Sequence, residues 1–293
     1  MSLTKNWTTA TLAASALAFG LTTTAVAQDD AEGPAINSGA ISLDLGIDTT
    51  SAYYFRGIAQ ENKGLILQPW ATITVDLYED DQINVAGYVG TWNSVHSHQP
   101  GGTDSWYEAD VIVGVSVGLP AGFTVDLAYI NLYNPRGGAS FAQEIDLTVA
   151  YDDSEFLDEL ALNPYATIAW EFSGGSDGVS GEGTYLELGI EPSLTVLESE
   201  DYPVSLSLPV TAGFSLNNYY QDGGGNDPFF GFVSVGIAAS TSLSFLPAEY
   251  GDWSASLGFD LLLLGDEAND VGRGVTGSSL VVPIVYAGIS MSY

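Results

Sequence analysis

Ser279-Leu280-Val281-Val282-Pro283-Ile284-Val285-Tyr286-Ala287-Gly288-Ile289-Ser290-Met291-Ser292-Tyr293 is the stretch on which the reading of the chain turns. Taken in steps of two from its end, one face carries Tyr293, Met291, Ile289, Ala287, Val285 and Pro283. The other carries Ser292, Ser290, Gly288 and Tyr286 before turning apolar at Ile284. Successive strand residues point to opposite faces, so this is a strand with one greasy face and one small, mostly polar face. One such strand is a weak signal. It gains weight only if the rest of the chain repeats it.

From Ala40 onward the chain does repeat it, in about twelve alternating stretches divided by turn residues. They fall at 41–56, 65–78, 83–94, 106–119, 123–133, 140–151, 161–172, 184–197, 203–216, 229–245, 252–264 and 279–293. Helical periodicity is confined to Ser154–Leu162. Tyr107, Ala109, Val111, Val113, Val115, Val117 and Leu119 make one face, opposite Glu108, Asp110, Ile112, Gly114, Ser116 and Gly118. Phe141, Ile145, Leu147, Val149 and Tyr151 oppose Glu144, Asp146, Thr148 and Ala150, and Leu206, Leu208, Val210, Ala212 and Phe214 oppose Ser205, Ser207, Thr211, Gly213 and Ser215. A soluble protein would fill its polar faces with Lys, Glu and Asp. Here they hold Ser, Thr, Gly and scattered carboxylates, which suits a crowded, wet lumen. A terminal strand that alternates in this way and stops on an aromatic resembles the closing strand of bacterial outer-membrane barrels.

The connections carry a second signal. Those near Glu79–Gln82, Pro120–Gly122, Asp152–Leu160, Glu198–Tyr202 and Leu246–Gly251 are mostly short. Those near Gly57–Gly64, Val95–Ser105, Ser173–Gly183, Asn217–Pro228 and Gly265–Ser278 are longer and rich in Gly, Ser and Asp, with Pro135–Ala139 the short exception. Short periplasmic turns alternating with long extracellular loops are the rhythm of a membrane barrel, and an even strand count puts both termini on the short-turn side. Aromatics gather near strand ends. Tyr78, Phe123, Tyr151, Tyr202, Phe245, Trp253 and Tyr293 lie at one end, and Trp92, Trp106, Tyr107, Tyr133, Trp170, Phe172, Tyr185, Tyr219, Phe229 and Phe230 at the other. Two such bands are what interfacial girdles look like. Pro69, Pro192, Pro209 and Pro283 resist this scheme, because a proline inside a strand cannot donate to a closed ladder.

Composition sets the outer bounds. A chain of 293 residues suffices for one large barrel or two small domains. A net charge of -32 with only five Lys and Arg argues against nucleic acid, whose phosphates need cations. The absence of Cys excludes a disulfide framework and thiolate metal sites. Residues 1–27 read as a cleaved secretory signal: Lys5 gives the positive start, Leu12–Leu21 the apolar run and Ala25-Val26-Ala27 the cleavage site. Residues 28–39 read as a flexible lead-in and 40–293 as the barrel. Beyond the signal no apolar run approaches the length of a membrane helix, so the crossing is expected to be made by strands.

If the apolar faces meet lipid, the lumen receives Asp44, Asp48, Asp76, Glu108, Asp110, Asp126, Glu144, Asp146, Glu171, Glu187, Glu191 and Asp260. After removal of the signal, Arg56, Lys63, Arg136 and Arg273 are the remaining basic residues, so these carboxylates have few cationic partners. An acidic lumen concentrates cations and repels anions; alternatively the carboxylates only keep the wall hydrated. Arg56 ends the run Ser51-Ala52-Tyr53-Tyr54-Phe55-Arg56 just before Gly57, and parity from Asp44 and Asp48 puts it on the inner wall near the mouth. There it is either a constriction charge or a plain structural ion pair. Twelve strands lies between side-chain-filled barrels and open porins, so an open pore does not follow from strand number.

Tyr54-Phe55-Arg56-Gly57-Ile58-Ala59-Gln60, then Gly87-Tyr88-Val89-Gly90-Thr91-Trp92-Asn93-Ser94, then Tyr107-Glu108-Ala109-Asp110 resemble the opening of the TorF-type porins. Those proteins carry a Y-x-F-R-G-x-x-Q segment, a later G-x-W-x-S and an E-x-D strand. The likeness covers roughly the first third after the signal. Gln68-Pro69-Trp70 and the unusual acidity depart from the family pattern. The resemblance implies an outer-membrane barrel and speaks more to location than to substrate. The MltA-interacting scaffold-type barrels, similar in size, are the second family that the chain resembles.

His96-Ser97-His98 is the one histidine cluster, and suggests a lipid hydrolase with a His-activated serine or a weak Zn or Cu site. No third group is evident beside it, and a solvated loop is the plainer reading. Asp222-Gly223-Gly224-Gly225-Asn226-Asp227 and 173–183 could bind Ca²⁺ through carboxylates and carbonyls, though neither has EF-hand spacing. No phosphate loop, zinc motif or cofactor signature is present. The expectation is therefore an all-β, up-and-down antiparallel transmembrane barrel in the bacterial outer membrane, in contact with its lipids. It is expected to be no enzyme but a channel for small cationic or neutral solutes. A closed scaffold barrel that binds partners is the alternative, and an interfacial lipid hydrolase the third reading.

Overall fold

The protein is described from a computed structural model, which covers residues 39–98, 104–157, 161–176, 178, 181–199, 202–222, 224–266 and 279–293. The signal-peptide segment, most of the lead-in, Arg273 and parts of several loops lie outside the described residues. The strands are β1 (Ile41–Thr50), β2 (Tyr53–Phe55), β3 (Ile58–Glu61), β4 (Ile66–Glu79), β5 (Asn84–His96), β6 (Trp106–Gly118), β7 (Phe123–Asn134) and β8 (Ala139–Tyr151). They continue with β9 (Tyr165–Gly174), β10 (Gly183–Ile190), β11 (Ser193–Leu197), β12 (Val204–Ser207), β13 (Val210–Asn217), β14 (Phe230–Ser242), β15 (Asp252–Leu264) and β16 (Val281–Ser292). Of the helical stretch read from the sequence, Ser154–Leu157 is helical, and residues 158–160 lie outside the described residues.

All strands but β2 and β3 form one antiparallel sheet that closes on itself. β1 pairs with β16, Ile47 opposite Ile289, and with β4, Ile47 opposite Pro69. β14 pairs with both β13 and β15, which completes the circuit. β10 and β11 act as one stave and β12 and β13 as another, so the barrel has twelve. The start of β1 and the end of β16 sit at the short-turn end, where the backbones of Leu43 and Tyr293 exchange hydrogen bonds at 2.8 Å. A closed barrel leaves no strand edge unpaired, which is the condition for a sheet to enter hydrocarbon.

The outside of the barrel is apolar and the inside polar, the inverse of a soluble protein. Val113, Leu127, Ile237 and Ile289 are each between 45% and 49% exposed on the outer face. Inward-facing residues on the same strands, Ile112, Asp126, Ala238 and Tyr286, are buried. Tyr78, Phe123, Tyr202, Phe245 and Tyr293 are exposed at the short-turn rim, and Trp106, Trp170, Phe229 and Phe230 at the other. The girdle reading needs one correction: Trp92, Tyr185 and Tyr219 are buried in the interior, and Tyr107 turns inward to reach Gln60.

The prolines have individual solutions. Pro192 and Pro209 break two staves in step, between β10 and β11 and between β12 and β13. Leu208 N–H donates to the Pro192 carbonyl and Gly236 N–H to that of Pro209, so the carbonyl side of each break stays paired. Pro69 sits where the β4–β5 ladder lapses between Leu67 and Trp70, and the Asn93 side-chain amide donates to its carbonyl. Pro283 lies above the last β1–β16 pair, where the stave has no β1 neighbour to receive an N–H. Stave β9 starts at Tyr165 rather than 161, because Asn163 takes a left-handed backbone (φ +49°) and Pro164 follows it.

The largest departure is near the start. The first strand ends at Thr50, not 56, and residues 53–61 turn back as the hairpin β2–β3 instead of forming an external loop. Every residue from Ala52 to Ala59 is buried. The hairpin lies inside the barrel, at the long-loop end.

Candidate functional site: the stoppered acidic lumen

Phe55 pairs with Ile58 across a two-residue turn made by Arg56 (φ +48°) and Gly57 (φ +83°). Positive φ at both central positions is the type I′ geometry that suits the twist of a hairpin. For Arg56 this backbone costs roughly 1–2 kcal/mol, so something must hold it there. Gly57 is required twice over: its φ excludes most side chains, and a Cβ would lie 2.9 Å from Phe232.

Two apolar clusters grip the hairpin. Tyr53 and Phe55 pack with Ile66, Trp92, Ile130 and Leu132 on one side. Tyr54, Ile58 and Ala59 pack with Tyr185, Tyr219, Phe232, Leu262 and Leu264 on the other. Full burial of one large apolar side chain contributes about 1.5–3 kcal/mol, so the set outweighs the strain at the turn. Polar contacts fix the position. Tyr53 Oη donates to Glu108 Oε2 at 2.6 Å, and Tyr220 Oη donates to the Arg56 carbonyl at 2.8 Å.

Arg56 Nη1 donates to Glu144 Oε2 at 2.8 Å, and Nη2 to Glu144 Oε1 at 3.0 Å and Asp146 Oδ2 at 2.9 Å. Nη1 also donates to Tyr219 Oη at 3.1 Å. The guanidinium lies 4.7 Å from the ring centre of Tyr185, 4.9 Å from Phe55 and 5.6 Å from Tyr219. Arg56 is 1% exposed, and a guanidinium buried without partners would be prohibitive. Glu144 and Asp146, adjacent on the inner face of β8, make its burial tolerable.

The inner wall around it is strongly acidic. Glu108 and Asp110 on β6, Glu171 on β9 and Glu187 on β10 are all buried with Glu144 and Asp146. Arg56 is the one buried Lys or Arg among the described residues. One oxygen each of Glu108, Asp110, Asp146 and Glu171 has no hydrogen-bond partner. Tyr185 and Tyr165 donate to Glu187, and the Ser176 hydroxyl donates to Glu171. Among the described residues no group of three or more carboxylates or histidines converges as ligands of a metal.

The remaining sequence-derived lumen residues scatter. Asp126 is buried lower in the barrel, where it accepts from Tyr88 Oη at 2.8 Å. Asp48 accepts from Trp70 Nε1 at 2.8 Å, and Asp260 is buried on β15. Asp44 accepts from the Ser292 hydroxyl at the short-turn rim, and Asp76 is exposed there. Glu191 occupies the break beside Pro192. Arg56 faces inward, as parity suggested, but from the hairpin tip and not from the first strand. Tyr53, Tyr185, Tyr219 and Tyr220 also belong to the site, although none is among the sequence-derived lumen residues.

The histidines divide. His96 is buried, stacked on Tyr107 at 4.4 Å, and pairs with Ser94 Oγ at 2.8 Å. His98 Nδ1 meets Glu61 Oε2 at 2.9 Å. Ser97 Oγ accepts from Leu65 N–H at 2.7 Å and is no partner of either histidine among the described contacts. Ser94 is 0% exposed, so an ester could not reach it in this conformation. The Asp222 carboxylate accepts from Gly224 N–H, Asn226 N–H and the Asn226 amide, and Asp227 accepts from Ser215 and Asn218. These carboxylates shape their own loop.

No family model and no curated protein matches the chain. Among solved structures it is similar to the β domain of the Bordetella autotransporter BrkA, at 11% identity and TM-score 0.43, over 87% of this chain and 99% of that one. It is similar to an outer-membrane channel from Pseudomonas putida F1 at 12% identity and TM-score 0.47, over 90% and 99% of the two chains. The NanC porin is alike at 11% identity and TM-score 0.42, over 85% and 98%. With scores below 0.5, the fold rests on the strand register and not on these likenesses: the chain is a closed, twelve-staved antiparallel barrel with a polar, hairpin-stoppered interior.

Proposed function

We propose that this barrel is a channel of the bacterial outer membrane, shut in this conformation by its own hairpin and biased toward cations when the hairpin withdraws. One observation carries the reading: six carboxylates, Glu108, Asp110, Glu144, Asp146, Glu171 and Glu187, are buried on the inner wall, and the one buried guanidinium among the described residues, which two of them bind, belongs to the stopper. Withdrawing the hairpin removes the cation and leaves the carboxylates on the wall, so opening and cation preference arise from one movement. A low-dielectric wall of one sign focuses the field and draws in counter-ions. Small cationic or neutral solutes are the fitting cargo, and membership of the TorF-type porins remains the family reading that best suits the hairpin sequence.

Single-channel current in a planar bilayer under a KCl gradient tests this. The wild-type barrel should be closed for most of the record. Arg56→Ser should open more often, with a reversal potential favouring K⁺. A folded, heat-modifiable barrel silent in both forms would sink the channel reading.

The filled lumen itself favours a second reading, a closed scaffold barrel whose loops or turns bind partners. Silence of both forms, with a partner retained on the barrel through purification, would support it.

A further inference from the structure

We propose that the pocket around Arg56 is a binding site for guanidinium-type organic cations, with the hairpin's own side chain as its resident occupant. The inference deepens the channel reading by naming the class of cation the lumen holds, and rests on it for a ligand's access.

The pocket has the features by which proteins recognise this group. Glu144 meets the guanidinium with both carboxylate oxygens, at 2.8 and 3.0 Å, the fork-on-fork pairing that matches the two parallel N–H donors of a guanidinium and that an ammonium group does not present. Asp146 takes a further N–H at 2.9 Å and Tyr219 Oη lies 3.1 Å from Nη1. The ring centre of Tyr185 is 4.7 Å from the guanidinium carbon. A flat, delocalised, weakly hydrated cation accepts such aromatic walls more readily than Na⁺ or K⁺.

Glu144, Asp146 and Tyr185 stand on the staves and stay when the hairpin leaves, so the site is built on the rigid part of the molecule. Charge points the same way. Asp146 Oδ1 and Glu171 Oε2, on side chains 1% and 0% exposed, still lack a hydrogen-bond partner with Arg56 in its seat. A vacated pocket is left more negative still. No ready-made chelate of three ligands competes for the role among the described residues.

The test vacates the seat and offers a free occupant. Arg56→Ala, refolded in detergent, is titrated with guanidinium chloride at low millimolar levels, far below denaturing ones. Sodium chloride and tetramethylammonium chloride at equal ionic strength serve as comparisons. Expected is a rise of several degrees in the thermal midpoint with guanidinium alone, no such rise in the wild type, and its loss in Arg56→Ala/Glu144→Gln. Equal responses to all three salts, or none in a folded Arg56→Ala barrel, would overturn the proposal. Should Arg56→Ala not refold alone, recovery of the heat-modifiable form with added guanidinium supports it. Failure with guanidinium as with sodium, joined by an unresponsive Arg56→Ser barrel, overturns it. None of these readouts needs current. A guanidinium-binding barrel that conducts in no form would remove the channel reading and leave the site standing.

Discussion

Arg56 and Glu144, 88 residues apart in sequence, meet inside the barrel through two hydrogen bonds, 2.8 and 3.0 Å long, that tie the tip of an inserted hairpin to stave β8. The contact couples a strained turn to the wall. The turn gains nothing from holding Arg56 at φ +48°, and the wall gains nothing from clustering carboxylates. Each makes the other tolerable.

Breaking the pair from one side should therefore be costly. Glu144→Ala leaves a buried guanidinium with Asp146 as its remaining anionic partner, and removing one member of a buried pair typically costs about 3–5 kcal/mol. Urea unfolding in detergent, read by gel mobility, should show the midpoint falling. Arg56→Ala/Glu144→Ala should cost clearly less than the two single changes added together, because contacting residues are non-additive. Additive losses would mean that the two side chains act independently.

Gly57 gives a test of the turn that leaves every lumen charge in place. At φ +83°, and with Phe232 2.9 Å from where a Cβ would stand, Gly57→Val should lift the hairpin tip from its seat. A β-branched residue is especially ill-suited to this backbone. Single-channel records should show a higher open fraction than wild type with unchanged cation preference. An unchanged open fraction in a folded barrel would show that the hairpin does not control opening.

The staves were legible because lipid outside and polar interior impose a period of two, which β6 from Glu108 onward and β8 obey. The hairpin was not legible for the same reason. Tyr53, Tyr54 and Phe55 are all buried, so both faces look alike and the run reads as a continuation of β1. Arg56-Gly57 is not the Asn-Gly pair that usually announces such a turn. Parity alone sent the carboxylates inward, yet it gave no depth. It could not separate Asp76, exposed at the rim, from Glu144 at the centre. Nor could it find Tyr219 and Tyr220, which enter the lumen from a loop with no periodicity to read.

The two faces of β6 should respond oppositely to the same charge. Val113, 49% exposed on the outer face, meets the hydrocarbon, so Val113→Arg should cost about 2–4 kcal/mol if it lies near the midplane. Ser116 lies on the inner face, directly opposite Asp126 on β7. Ser116→Arg adds a cation beside a carboxylate and should change the unfolding midpoint little. Comparable losses at both positions would contradict the assignment of outside to lipid and inside to lumen.

A last prediction concerns a smaller lock near the start of the barrel. The Trp70 ring lies flat against Gly46, where an added Cβ would stand 2.7 Å from it, and from there its Nε1–H reaches Asp48 at 2.8 Å. Gly46 thus supplies space and Trp70 supplies the donor for a buried carboxylate. Gly46→Val should push the ring away and strand Asp48, and a buried group left unsatisfied costs about 1–3 kcal/mol. Gly46→Val should lower the urea midpoint and shift the tryptophan emission. With Trp70→Phe already present, the added loss from Gly46→Val should shrink, because the hydrogen bond is gone beforehand. An undiminished loss would mean that Gly46 acts through the strand backbone rather than through the Trp70–Asp48 contact.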